Sequence, residues 1–164
     1  MDNPPGVQRA VCAHRLFAYT ALSFVLASSV NAADPQKSPG ERAVDYRQSI
    51  YTVMAGNFGP LNPMSEGKVP FNAVEFTKHA ERFAYIAHML DDAFPANSNG
   101  VANTKAKPEI WTNPMEFQRL LQDLWDKSAA VAVAAKTGDM VKIKAAVQDA
   151  GTSCKNCHDK FRNK

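Results

Sequence analysis

The chain has 164 residues, of which 45% are hydrophobic and 21% charged, and its formal net charge is +3. That length fits one domain with a processed leader. No block of Lys and Arg forms a stripe of the kind that binds nucleic acid, so no nucleic-acid partner is expected.

The leader comes first. Arg9 and Arg15 give a positive start, Leu16 to Val30 is an apolar run, and Val30-Asn31-Ala32 offers small residues for cleavage. The run falls short of the ~20 residues that a spanning helix needs. A cleaved signal peptide over residues 1–32 is therefore expected, an uncleaved tether being the other reading. No membrane attachment is expected after cleavage, and export points to the periplasm. Cleavage also removes Cys12, which leaves Cys154 and Cys157 as the thiols of residues 33–164. A domain of that size buries roughly two thirds of its unfolded surface, enough for one modest core.

Residues 33–40 hold Pro, Ser and Gly and read as a loose start. From Glu41 the apolar spacing becomes helical, with Val44, Arg47, Ile50, Tyr51, Met54 and Phe58 on one face. Gly56, Gly59, Pro60 and Pro63 then weaken or end that helix. Asn72 is placed to cap a second helix, with Glu75 completing a box-like start. Its inner side runs Phe76, Ala80, Phe83, Ala87 and Leu90.

Asp91 to Pro108 is a long connection rich in Asn, Gly and Pro, of a length usually reserved for a task. Draping over the edge of a cofactor is one such task. Asn113-Pro114 starts a third helix, whose buried face holds Phe117, Leu120, Leu121, Leu124, Trp125, Val131 and Ala135. Gly138 stops it, and Asp139 caps a fourth helix at once. Met140, Ile143, Val147, Gly151, Cys154, Cys157, His158 and Phe161 share one stripe of that last helix. Four amphipathic segments without alternating strand runs predict an all-α, up-and-down antiparallel four-helix bundle.

Cys154, Cys157 and His158 form C-x-x-C-H, the attachment pattern of c-type haem. Positions i, i+3 and i+4 share a helical face, so two thiols can add to the two vinyl groups of one porphyrin while the imidazole points at its iron. A zinc site would need a fourth ligand, usually from a second Cys/His pair, which the sequence lacks. A thioredoxin-type redox pair would sit near a βαβ pattern, also missing. One covalent haem c near the C-terminus, with His158 as axial ligand, is the expectation.

The opposite axial position decides the function: sulfur there gives a saturated electron carrier, and an open position gives a gas-binding haem. An antiparallel bundle lets the first helix supply that residue, and Arg47, Gln48, Tyr51 and Met54 are the candidates by spacing. Met54 reads as core filler. His79 and His88, nine apart, lie on opposite sides of their helix and read as peripheral. Arg162, one turn beyond His158, either biases the iron site or binds a propionate, or is a solvated cation at a helix end.

The stretches Tyr46-Arg47-Gln48 through Phe58-Gly59, Lys107-Pro108-Glu109-Ile110-Trp111, Lys136-Thr137-Gly138-Asp139 and Ser153 through Arg162 together resemble cytochrome c′. This is the class II, four-helix, C-terminal-haem family of bacterial periplasmic cytochromes. In low-spin relatives a ligating Met stands four residues after the Arg matched by Arg47; here that position is Tyr51. The resemblance thus implies five-coordinate, high-spin iron with Tyr51 as a steric lid, Arg47 and Gln48 near the haem propionates, and Phe94 in the haem wall. A neutral phenol is a poor iron ligand; phenolate ligation by Tyr51, favoured by Arg47, is opposed by desolvation.

The resemblance further implies binding of nitric oxide and carbon monoxide, in scavenging or sensing, and pairing as a homodimer through the first two helices. The alternative is a low-potential one-electron carrier with a periplasmic redox partner. An enzyme such as a peroxidase is not expected, because it needs an acid/base residue over the iron and Tyr51 is weak for that role.

Overall fold

The computed structural model describes residues 37–164, so the expected signal peptide over residues 1–32 lies outside the described residues. Among the described residues six α-helices follow in order: α1 (Pro39–Phe58), α2 (Leu61–Ser65), α3 (Ala73–His88), α4 (Glu109–Thr112), α5 (Pro114–Thr137) and α6 (Met140–Phe161). The long ones, α1, α3, α5 and α6, make the antiparallel up-and-down four-helix bundle. α5 packs on both α3 and α6, and α1 packs on α3. Among the described residues there is no strand, only an isolated bridge between Ala106 and Arg162. No described helix is long and apolar enough to cross a membrane.

The core follows the three-and-four spacing of the apolar residues. Phe76 and Phe83 of α3, Val131 of α5, and Ile143 and Val147 of α6 are sealed from solvent. Phe58 of α1 stacks at a tilt on Phe83, with ring centroids 4.9 Å apart. Met140, expected on the buried stripe, is 38% exposed at the first position of α6.

Three helix starts differ in quality. Asn72 caps α3 by accepting from the Val74 and Glu75 amides, both at 3.1 Å. Glu75 does not close a reciprocal box; its carboxylate pairs with Lys78 instead. Asp139 caps α6, accepting from Val141 N at 2.9 Å and Lys142 N at 3.2 Å. Gly138 before it has φ +67°, the left-handed turn that closes α5. Asn113, by contrast, makes no side-chain cap. Its amide already donates to Glu109 O at 2.8 Å, closing α4, so its backbone serves the preceding turn.

The expectation of a loose start over residues 33–40 is corrected for residues 38–40, residues 33–36 lying outside the described residues. Ser38 Oγ accepts from Glu41 N at 3.2 Å while Glu41 Oε2 accepts from Ser38 N at 2.7 Å, a full capping box with Pro39 at the first helical position. Gly40 is buried under the long connection. A Cβ at this position would stand 2.3 Å from Asn97 O and 2.9 Å from Val101 Cγ2. The backbone oxygen cannot swing aside as a side chain would. Gly40→Ala is therefore expected to lower stability by about 1–3 kcal/mol, read as an earlier midpoint in chemical denaturation, because a close backbone approach has no room to relax.

Candidate haem site

A cavity of about 1040 Å³ lies between α1 and α6, walled by α5 and by the connection from α3 to α4. Its volume is at the top of the ~300–1000 Å³ range of ligand pockets. Helix α6 brings Cys154, Cys157 and His158 to it on consecutive turns, as C-x-x-C-H on one helical face requires. Helix α1 supplies Arg47, Gln48, Tyr51 and Met54. Phe94 comes from the long connection, and Arg162 follows the end of α6. All nine of these residues, each weighed from the sequence as a cofactor or iron contact, thus meet at one cavity. His79 and His88 do not line it. His79 Nδ1 is 3.1 Å from Asn57 Oδ1, bridging α1 and α3, and His88 stacks on Trp125 with centroids 4.9 Å apart.

The electrostatics suit a bound tetrapyrrole. Burial raises the Cys154 thiol above its ordinary pKa, and burial together with Cys154 pushes Cys157 up to about 11. Both are protonated thiols at neutral pH. Burial, with Arg162 adding to it, lowers His158, so its imidazole is neutral and able to ligate a metal. Among the described residues, no group of three or more His, Cys, Asp or Glu is placed to hold a metal ion on its own. The remaining wall is mainly apolar, including Phe58, Phe83, Phe117, Leu120, Leu121, Leu124 and Phe161. Two thiols, a neutral imidazole, aliphatic and aromatic walls and flanking cations match a flat apolar ring that carries vinyl groups, a metal and carboxylates. The residues present fit haem.

Tyr51 is 37% exposed, and it lines the cavity, so its exposed part looks into that space. Burial raises the phenol pKa well above its ordinary value, and the two cysteines add to the shift. Arg47 and Arg162 oppose it without reversing it. Tyr51 is therefore a neutral phenol.

Arg47 has more to do than its spacing suggested. Only 2% exposed, it donates to Ser98 Oγ at 2.9 Å, Thr104 Oγ1 at 3.0 Å and Ala93 O at 3.5 Å. Its guanidinium carbon stands 5.2 Å from the Phe94 ring centroid and 6.0 Å from that of Trp111. Gln48 Nε2 donates to Asn103 O at 2.7 Å, at a residue whose φ is +61°. Two adjacent side chains of α1 thus strap the long connection over the cavity. Its far end is zipped to the C-terminus: Lys107 N donates to Phe161 O at 2.9 Å, and Asn163 N to Lys105 O at 2.8 Å. Apart from Phe94, the sequence pointed to the connection only through its length and its Asn, Gly and Pro content. Ser98, Thr104, Lys105 and Ala106 carried no signal, since their partners lie about fifty or more residues away in the chain.

A four-helix bundle with a C-x-x-C-H cavity between its first and last helices defines a c-type cytochrome of the helical-bundle class. Comparison with known proteins makes this specific. The family model described as Cytochrome C′ matches residues 42–162. The cytochrome c′ of Alcaligenes xylosoxydans xylosoxydans is 36% identical over 124 residues, covering 76% of this chain and 95% of that protein. Among solved structures, a leucine-to-isoleucine mutant of cytochrome c prime from Alcaligenes xylosoxidans, as its nitric oxide complex, superimposes with a TM-score of 0.71 at 36% identity. It covers 76% of this chain and 97% of that one. A leucine-to-glycine variant from the same source, with carbon monoxide bound, gives a TM-score of 0.72 at 35% identity over 77% and 98% of the two chains. The chain belongs to the cytochrome c′ family. The family binds covalent haem c, and Cys154 and Cys157 are consistent with that attachment.

Arg47→Met tests the strap. Amides of residues 96–106 are expected to exchange with deuterium markedly faster while those of α5 keep their protection. Stability should fall by about 1.5–3 kcal/mol through loss of hydrogen bonds from a charged donor.

Proposed function

We propose that this chain is an exported periplasmic cytochrome that holds five-coordinate, high-spin haem and binds nitric oxide and carbon monoxide at the axial position facing α1. In this reading Cys154 and Cys157 tether the haem and His158 is the axial ligand. Arg47, Gln48 and Arg162 face its carboxylates and Phe94 walls one side. Bound haem supplies an iron that takes a diatomic ligand wherever the chain leaves an axial position open. The role of the chain is to leave one position open and to crowd it.

Tyr51 carries this reading. It stands on the cavity from the helix opposite His158, held neutral by burial, where a ligating residue would otherwise close the site. A neutral phenol excludes water and bulky anions by its volume, yet yields to a small uncharged molecule by a slight side-chain displacement. The cavity has no histidine other than His158 to donate to bound oxygen. The nitric oxide and carbon monoxide complexes of the relatives support the same choice of ligands, and scavenging or sensing of nitric oxide is the role that follows.

The second reading is a one-electron carrier, and one observation favours it: the thioether of Met54 also lines the cavity from α1. A visible spectrum separates the two. High-spin ferric bands are expected, with a changed spectrum on adding nitric oxide to the reduced protein. A low-spin spectrum with a sulfur-to-iron charge-transfer band would transfer the assignment to Met54 and electron transport. In Tyr51→Ala, carbon monoxide should bind the reduced protein faster and at least about tenfold more tightly, about 1.4 kcal/mol. Unchanged kinetics would remove the lid.

Pairing as a homodimer belongs to the same proposal. Tyr46 and Val53 are exposed seven apart on α1, and Val74 and Tyr85 eleven apart on α3, so each pair lies on one helical face. Two apolar faces on neighbouring helices suit a self-complementary twofold contact. Sedimentation equilibrium is expected to return a dimer, and Val53→Asp combined with Tyr85→Lys a monomer with an unaltered visible spectrum.

A further inference from the structure

Ser153, the residue just before the first thiol, is 2% exposed and lines the cavity, and its Oγ has no hydrogen-bond partner. A buried hydroxyl left unpaired costs roughly 1–3 kcal/mol. Inside a helix the usual remedy is the carbonyl three or four residues back. This protein uses that remedy repeatedly. Ser49 donates to Asp45 O and Thr52 to Gln48 O, each at 2.9 Å. Ser128 donates to Trp125 O at 2.9 Å, and Thr137 to Ala134 O at 2.7 Å. Thr152, the immediate neighbour, donates to Gln148 O at 2.9 Å. Ser153 makes no such bond: its oxygen is sealed and unpaired, at a residue that lines the cavity.

Its place on α6 limits what it can meet. At 100° per residue, Cys157 is one turn on and only about 40° round the helix from Ser153, whereas His158 is about 140° round. Helical side chains lean toward the N-terminus, so the Cys157 side chain projects toward the turn that carries Ser153; the hydroxyl and the free Cys157 thiol make no hydrogen bond. The haem carboxylates are an unsuitable acceptor, because the porphyrin edge joined to the cysteines is the vinyl edge and the carboxylates leave from the other side of the ring. A thiol is itself a weak donor, but a thioether sulfur has no proton and can only accept.

We propose that Ser153 is a positioning residue for the haem: its hydroxyl donates to the Cys157 sulfur once that sulfur is a thioether. This rests on the reading that Cys154 and Cys157 carry haem c. The bond fixes the rotamer of the Cys157 side chain, and with it one corner of the ring. It also places the positive end of an O–H dipole beside the macrocycle, which stabilises the electron-richer reduced state. Hydrogen bonding around a bound haem is one of the means by which a protein sets its potential.

The test uses the full holoprotein and the variants Ser153→Ala, Ser153→Val and Ser153→Thr. Thr and Val have the same shape and differ in the hydroxyl. The pyridine haemochrome spectrum of the parent is taken first, since failure of the covalent-haem reading appears there, before any variant is compared. Then the midpoint potential and the C–S stretching band in the resonance Raman spectrum are measured for all four proteins. The Thr variant is expected to keep the parent's potential and band. The Ala and Val variants are expected to show a lower potential and a displaced band. Thr and Val variants that agree with each other in both readouts would overturn the proposal and leave the hydroxyl a space-filler.

Discussion

The buried guanidinium of Arg47 is the contact on which the open side of the bundle depends. A positive charge taken out of water must be met by acceptors or by an anion. No carboxylate among the described residues pairs with this one. Its acceptors are two hydroxyls and a carbonyl, all from the long connection, and its faces are Phe94 and Trp111. The connection has little regular structure of its own, so it takes its shape from the helix that Arg47 sits on. The wall of the cavity facing solvent is therefore an extension of α1. A cation satisfied only by neutral partners also leaves a positive potential at the cavity, which suits carboxylates carried in by a cofactor.

Much of this could be read in the chain beforehand, and what could not has a common cause. The four long helices were legible because Phe76, Phe83, Val131, Ile143 and Val147 repeat at the helical period. The caps at Asn72 and Asp139 were legible because a cap acts within three residues. Ser38 was overlooked although its signal was equally local, since Pro39 and Gly40 read as turn residues when no neighbour was in view. Gly40 is there because another segment, fifty-seven residues on, presses against it. Asn113 does stand at the start of α5 with Pro114 after it, as read; only its side-chain bond is missing, at a residue that also closes the short helix before it. The cavity residues on α1 and α6 were found from spacing and resemblance, but the bonds from Arg47 and Gln48 to the connection join positions that no local pattern relates.

Helices α1 and α6 divide the chemistry between them. The last helix offers the groups that bind: two thiols and a neutral imidazole at fixed turns. The first offers Tyr51 and Met54, the residues that under the proposed function would decide whether the remaining coordination site is filled. The bundle is indifferent to that choice, since Met and Tyr both pack on an apolar face, so fold and activity are specified by different residues.

The bridge between Ala106 and Arg162 has a mechanical consequence. The closing turn of a helix ordinarily unravels at almost no cost, because its carbonyls have no partner within the helix. Here the Phe161 carbonyl accepts from Lys107, and the Asn163 amide reaches back to Lys105. The tail of α6 and the middle of the polypeptide are thereby buttoned into a single closed circuit around the pocket's rim. Local breathing at this end must undo both at once, so the imidazole one turn inside sits on a footing as firm as mid-helix.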